Sequence, residues 1–187
     1  MQLFWHKGFA ETSLDDLTRA MGINRPSLYA AYGDKKTLYL RAMKRFFDLT
    51  GDRTAALFAT VPSVRAGFEG FFAGAAELYT QGADGPRGCF LVCTATTPSA
   101  TDPDIHAALG NTVGAIDRSL RHELARACRQ GELVADAPLD TLATLLSATL
   151  HSMAIRARAG RPKAELTALA DQVLSLVFDR WRPDKAC

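Results

Sequence analysis

Three groups of side chains in this sequence have types and spacings suited to chemistry. The first is Arg25-Pro26-Ser27-Leu28-Tyr29, followed closely by Tyr32 and Lys35. A guanidinium, a short hydroxyl and a phenol at the start of one helix can reach base edges or phosphate oxygens. The second is Cys89 and Cys93, four residues apart and on one face if helical. That spacing suits a redox pair, two ligands of a soft metal, or plain packing of two small hydrophobes, and packing is the favoured reading. The third is His106 and His151, each alone on an otherwise apolar stretch, either satisfied polar residues or polar contacts for a ligand. Hydrolytic and nucleotide chemistry find no support. The sequence has no G-x-S-x-G, no glycine-rich phosphate loop and no H-E-x-x-H, so neither enzyme activity nor a cofactor is expected.

Charge distribution favours the first group. The net charge is only +2, yet residues 1–51 carry 8 Lys/Arg against 5 Asp/Glu, while the remainder has a slight acidic excess. A basic first quarter is where a phosphate backbone would be welcomed. The 187 residues are 48% hydrophobic and 22% charged, which excludes disorder and allows a sizeable core. No apolar run reaches the ~18 residues of a spanning helix, and the N-terminus lacks a signal-peptide h-region. A cytoplasmic protein without a membrane partner is expected. The four cysteines, Cys89, Cys93, Cys128 and Cys187, are then not expected to form a disulfide framework.

The elements that position these groups are all helical. Apolar periodicity near 3.6 recurs throughout, with no sustained alternation of period two. Leu14, Leu17 and Met21 form a short stripe ending at Gly22, a natural left-handed cap. Ser13 and Asp16 fit a capping box at its start. A second short helix follows Asn24, with Pro26 in its first turn, and Leu17, Met21, Ile23 and Leu28 can pack the two together as a helix-turn-helix. Asp34 caps a longer helix from Lys35 toward Gly51, and Lys35 at that helix start suits a phosphate. Thr60-Val61-Pro62-Ser63 separates it from a helix carrying Phe68, Phe71 and Phe72. A loop at 82–86, a helix closed by Pro98, and long helices from Asp102 to near Gly131, Pro138 to near Gly160 and Pro162 to near Trp181 complete the chain. The last two are apolar on more than one face, as expected of helices buried on two sides. A second copy of the chain is the expected partner for the second side, with Leu142, Leu146, Leu150, Leu169, Val173 and Leu176 as interface candidates.

Lys7-Gly8-Phe9, Thr12-Ser13-Leu14-Asp15-Asp16-Leu17, Ala20-Met21-Gly22-Ile23-Asn24, Ser27-Leu28-Tyr29 and Asp34-Lys35 together resemble the TetR family of bacterial one-component transcriptional regulators. Gly88-Cys89-Phe90-Leu91-Val92 is similar to a segment found in part of that family. The resemblance implies an all-α homodimer with a three-helix, helix-turn-helix DNA-binding head at 1–50. A body of about six helices at 51–187 would bind a ligand and dimerise. It also implies a phosphate contact for Tyr29. Thr12, Ser13, Arg25, Pro26, Ser27, Tyr29, Tyr32 and Lys35 are the candidate DNA-contacting residues. The family's first helix usually begins a dozen or more residues before the Lys7-Gly8-Phe9 equivalent. A first helix shortened by two or more turns, with part of the head core absent, is therefore expected here. Ala30-Ala31 also departs from the larger aromatic or imidazole groups often found there.

The expected function is repression from a palindromic operator, relieved by a small apolar or aromatic effector. Bundles hold ligands between helices, so Phe68, Phe72, Phe90, His106 and His151 are the candidate pocket residues. Two alternatives are a thiol or metal sensor acting through Cys89 and Cys93, and a helical dimer that has lost DNA binding through its shortened head.

Overall fold

The computed structural model describes residues 1–82 and 85–183. Cys187 and the Ala83-Asp84 part of the expected loop lie outside the described residues. Among the described residues every regular element is helical, and there is no strand. In chain order these are α1 (Gln2–Glu11), α2 (Leu14–Met21), α3 (Arg25–Tyr32), α4 (Lys35–Thr60), α5 (Val64–Thr80), α6 (Phe90–Thr94), a 3-10 turn (Pro98–Ala100), α7 (Pro103–Arg129), α8 (Leu139–Arg158) and α9 (Lys163–Phe178).

Two helix boundaries differ from the sequence expectation; the helix expected to be closed by Pro98 ends at Thr94, and Pro98 opens the 3-10 turn. The helix expected to end near Gly51 runs on to Thr60. A single glycine costs a helix only about 1 kcal/mol relative to alanine, and good helix formers follow it in Arg53, Ala55, Ala56 and Leu57. The stop comes instead just before Val61-Pro62, because the residue before a proline disfavours the helical region.

Packing divides the chain into two compact units. The first contains Met1–Asp52 and Phe90–Gly110, and the second contains Arg53–Cys89 and the chain from Asn111 onward. Residues 90–110, placed in the body by the sequence division at 50/51, therefore join the first unit. The reason is aromatic packing. Phe90 is fully buried, with ring centroids of Phe46, Tyr39 and Trp5 at 5.6, 5.8 and 5.9 Å. From α1, Phe4 meets Tyr39 edge-on at 5.3 Å and Trp5 meets Phe46 at 4.9 Å. The Tyr39 hydroxyl and Thr94 Oγ1 lie 2.7 Å apart in the same core, so the phenol has a partner where burial would otherwise penalise it. Burial pushes the Tyr39 pKa up to about 12. At the surface, Lys36 Nζ is 2.5 Å from Asp104 and 3.3 Å from Asp102, joining the start of α4 to the start of α7.

The second unit is built around α5, which packs along α9 and α8. Its buried face carries Phe68, Phe72, Ala76 and Tyr79. Phe68 lies 5.2 Å from Phe58 and 6.0 Å from Phe178, centroid to centroid. Gly67 makes the Phe58 approach possible: a Cβ there would stand 2.3 Å from two carbons of the Phe58 ring. Two helix ends are closed by distant side chains. The Glu132 carboxylate accepts from the backbone N–H groups of Val64 (2.7 Å) and Arg65 (2.9 Å), placing an anion at the positive end of α5. Arg126 Nη1 donates to the Phe58 carbonyl at 3.0 Å, near the carbonyl-rich end of α4.

Candidate nucleic-acid interface

Local sequence shapes the helix-turn-helix. Ser13 Oγ accepts from the Asp16 N–H at 3.0 Å, and Asp16 Oδ2 accepts from the Ser13 N–H at 3.2 Å, completing the capping box. Lys7 Nζ adds an ion pair to Asp16 at 3.0 Å, which ties α1 to the start of α2. That ammonium, followed by the backbone N–H and the hydroxyl of Ser13, pulls the Asp16 carboxyl down to about 2. Gly22 closes α2 at φ +66°, a left-handed conformation that favours glycine, and the Ile23 N–H returns to the Thr18 carbonyl at 3.1 Å. Asn24 then caps α3, its Oδ1 accepting from the Ser27 N–H at 2.9 Å. Leu17 and Leu28 are buried and hold the two helices together. Met21, expected to share that task, is instead exposed because it occupies the last position of α2, at the lip of the turn.

On α3, Arg25, Pro26, Ser27, Tyr29, Ala30 and Ala31 are exposed. The arginine is held in place, because Nε and Nη2 donate to Asp15 Oδ1 at 3.0 and 2.8 Å. Tyr32 is half-buried, its ring covered by the Arg41 guanidinium at 5.6 Å. Ser13 is exposed, but its hydroxyl is already engaged in the capping box.

Two of the expected DNA contacts are placed differently. Thr12 is fully buried and its hydroxyl donates to the Gly8 carbonyl at 2.6 Å, so its side chain is unavailable to a ligand. Gly8, at φ +80° and ψ 175°, breaks the helical path of α1 and turns that carbonyl toward Thr12. Lys35 does not extend toward solvent. Its ammonium donates to the carbonyls of Phe9, Ala10 and Thr12 at 3.0, 3.4 and 3.0 Å and sits 4.5 Å from the centre of the Phe9 ring. In the sequence Lys35 is simply a lysine at a helix start. The acceptors come from the other side of the unit, and no local spacing announces them.

The remaining candidates are divided between the two units. Phe90 and His106 belong to the first, the former in its core and the latter exposed. Phe68, Phe72 and His151 belong to the second. His151 is half-buried, and its Nε2 and Asp117 Oδ1 are both buried without a hydrogen-bond partner among the described residues. Burial lowers the imidazole pKa, opposed by the Asp117 carboxylate. Leu142, Leu146 and Leu150 are buried within the single chain, which removes them from a surface between copies. Leu169 and Val173 are partly exposed. The large apolar side chains exposed on α8 and α9 are Leu145, Ile155 and Leu176, the last 67% exposed. A periodicity that fills both sides of a helix does not say which side faces home. Cys89 is buried and Cys93 partly so, with no disulfide between them. Among the described residues, no group of three or more His, Cys, Asp or Glu side chains is arranged to hold a metal, and no helix is long and apolar enough to cross a membrane.

Comparison with known proteins agrees with this arrangement. Residues 1–42 match the model for bacterial regulatory proteins of the tetR family, and residues 68–173 match the tetracyclin repressor-like C-terminal domain. The HTH-type transcriptional repressor ComR of Escherichia coli K12 is 32% identical over 177 residues, 94% of this chain and 84% of ComR. The HTH-type regulator YezE of Bacillus subtilis 168 is 26% identical over 92% of this chain and 88% of its own. Among solved structures, a cysteine mutant of the regulator CifR in complex with a 26-base-pair operator DNA superposes with a TM-score of 0.86 at 29% identity, covering 96% of this chain and 91% of that one. With both parts of the chain matched and the helix-turn-helix formed as its sequence requires, this protein belongs to the TetR family of bacterial regulatory proteins.

Proposed function

We propose that this protein is a transcriptional repressor that binds a palindromic operator as a homodimer and releases it on taking up a small apolar or aromatic effector. The observation that carries the reading is the outward face of α3, where Arg25, Ser27 and Tyr29 are exposed on a helix capped at its N-terminus by Asn24. A guanidinium at the start of such a helix reads guanine in a major groove, and hydroxyls serve bases or phosphates. The operator-bound state of CifR supports the same use of this head. The protein acts where that DNA is, in the cytoplasm.

Dimerisation uses α8 and α9 through Leu145, Ile155 and Leu176, with Leu169 and Val173 beside them. The single chain leaves these apolar side chains uncovered in whole or part. A twofold dimer presents two recognition helices about 34–36 Å apart, one turn of the duplex, which is what a palindrome asks for. The effector occupies the second unit near Phe68, Phe72 and His151, where the buried Nε2 of His151 and Oδ1 of Asp117 supply polar contacts. An effector that favours a different spacing of the heads lowers operator affinity by no more than its differential affinity for the two spacings.

The test begins with selection of a duplex from random-sequence DNA by the wild-type protein. Arg25→Ala is expected to cost about 1–3 kcal/mol on that duplex and to relax preference at one base pair. Apolar and aromatic compounds are then screened for release, and the active one is tried on His151→Ala and Phe72→Ala. A dimer that enriches no sequence overturns the repressor reading in favour of a dimer without DNA function. Release by thiol alkylation alone, with no small molecule effective on a cysteine-free variant, overturns the effector in favour of Cys89 and Cys93.

A further inference from the structure

We infer that Asp15 is the residue that aims Arg25 for base recognition, and so sets the specificity of α3 without touching a base itself. The inference rests on the DNA-binding reading above. A guanidinium has two edges that can each donate a pair of hydrogen bonds: the side edge, Nε with Nη2, and the end edge, Nη1 with Nη2. Asp15 takes the side edge, with both Nε and Nη2 on its Oδ1. Nη1 makes no hydrogen bond to any of the described residues, and the arginine side chain is 57% exposed. The end edge is thus left to present two parallel N–H groups, the pattern that matches O6 and N7 of guanine.

Stability does not account for this pair. Both partners are more than half exposed, and such ion pairs contribute little to folding. Asp15 already has a place two residues into α2, where a carboxylate favours the positive end of the helix. Its bond to Arg25, ten residues on, adds something else: it fixes the torsions of a long side chain before DNA arrives. Ordering such a side chain in advance lowers the cost of binding. The carboxylate also places a negative charge beside the arginine, which opposes its use as a loose phosphate contact on any sequence. Both effects widen the gap between operator and random DNA.

The experiment uses the duplex selected by wild-type protein, a random duplex of equal length, and a third in which 7-deazaguanine replaces each selected guanine in turn. Removing N7 should weaken wild-type binding at one guanine per half-site by about tenfold, and should not weaken Arg25→Ala or Arg25→Lys at that position. Asp15→Asn should lower the ratio of operator to random affinity by about 2- to 12-fold, shrink the 7-deazaguanine penalty, and strengthen binding to the random duplex. In the Arg25→Ala background the same change should leave base discrimination unaltered. Thermal melting of each variant separates this from loss of fold, and Asp15→Glu, which keeps the charge, should retain more discrimination than Asp15→Asn. An Asp15→Asn protein that is folded and keeps the wild-type ratio and the wild-type 7-deazaguanine penalty overturns the inference while leaving DNA binding intact. A wild-type protein that enriches no duplex overturns the DNA reading itself, and this inference with it.

Discussion

The ammonium of Lys35 lies 3.0 Å from the carbonyl oxygens of both Phe9 and Thr12, so a side chain at the start of α4 closes the end of α1. The last carbonyls of a helix have no partner within it, and a lysine answers both that need and the negative end of the dipole. Lys35→Met should lower the stability of the protein by about 1.5–3 kcal/mol, the range for hydrogen bonds to a charged group. Amide exchange in α1 should accelerate with it. If melting and exchange are unchanged while operator binding loses about one unit of salt slope, Lys35 is instead a phosphate contact.

Gly67 is buried against the ring of Phe58, where a Cβ would come within 2.3 Å. Gly67→Ala should destabilise by about 1–3 kcal/mol through overpacking, despite the better helix propensity of alanine. Gly74, with open space around it in the same helix, is the control, and Gly74→Ala should stabilise by up to about 1 kcal/mol. Chemical denaturation of the two variants checks the contrast.

Leu176 and Leu146 should respond oppositely to the same charge. Leu146 is fully buried, and Leu146→Glu should leave little folded protein because it places an unpaired carboxylate in the core. Leu176 is exposed in the single chain, so Leu176→Glu should fold and yet fail to dimerise. Light scattering with circular dichroism decides it. A folded Leu176→Glu dimer of wild-type stability would move the interface off α9.

Asp16 makes the head sensitive to acid. Its folded pKa of about 2 lies below the ordinary value of 3.8, so the unfolded chain binds the proton more readily between these values. The stabilisation from the Lys7 and Ser13 bonds to this carboxylate is present above the unfolded value of 3.8 and is lost as pH falls through about 2. Lys7→Ala should raise the Asp16 pKa toward 3.8, because the Lys7 hydrogen bond is the first cause of the depression. A carboxyl-detected NMR titration of both proteins reads the shift directly.

Most of the head was legible in sequence because its determinants are local. Ser13, Gly22 and Asn24 each find their partners within four residues along the chain, and each forms the cap or turn its type requires. Helix periodicity likewise reached the fold class, since 3.6 residues per turn is a property of the segment alone. What depends on partners far along the chain was decided only by tertiary structure. Lys35 reads as a free cation until Phe9, Ala10 and Thr12 supply its acceptors, and Thr12 reads as a surface residue until Gly8 bends α1 over it. Phe90 reads as part of the body until Trp5, Tyr39 and Phe46 enclose it in the first unit. On α8, Leu145 and Leu146 are chemically identical neighbours, and only the packing against α5 and α9 turns one inward and leaves the other exposed. Sequence order specifies which side chains share a helix face, whereas burial is a property of what that face meets.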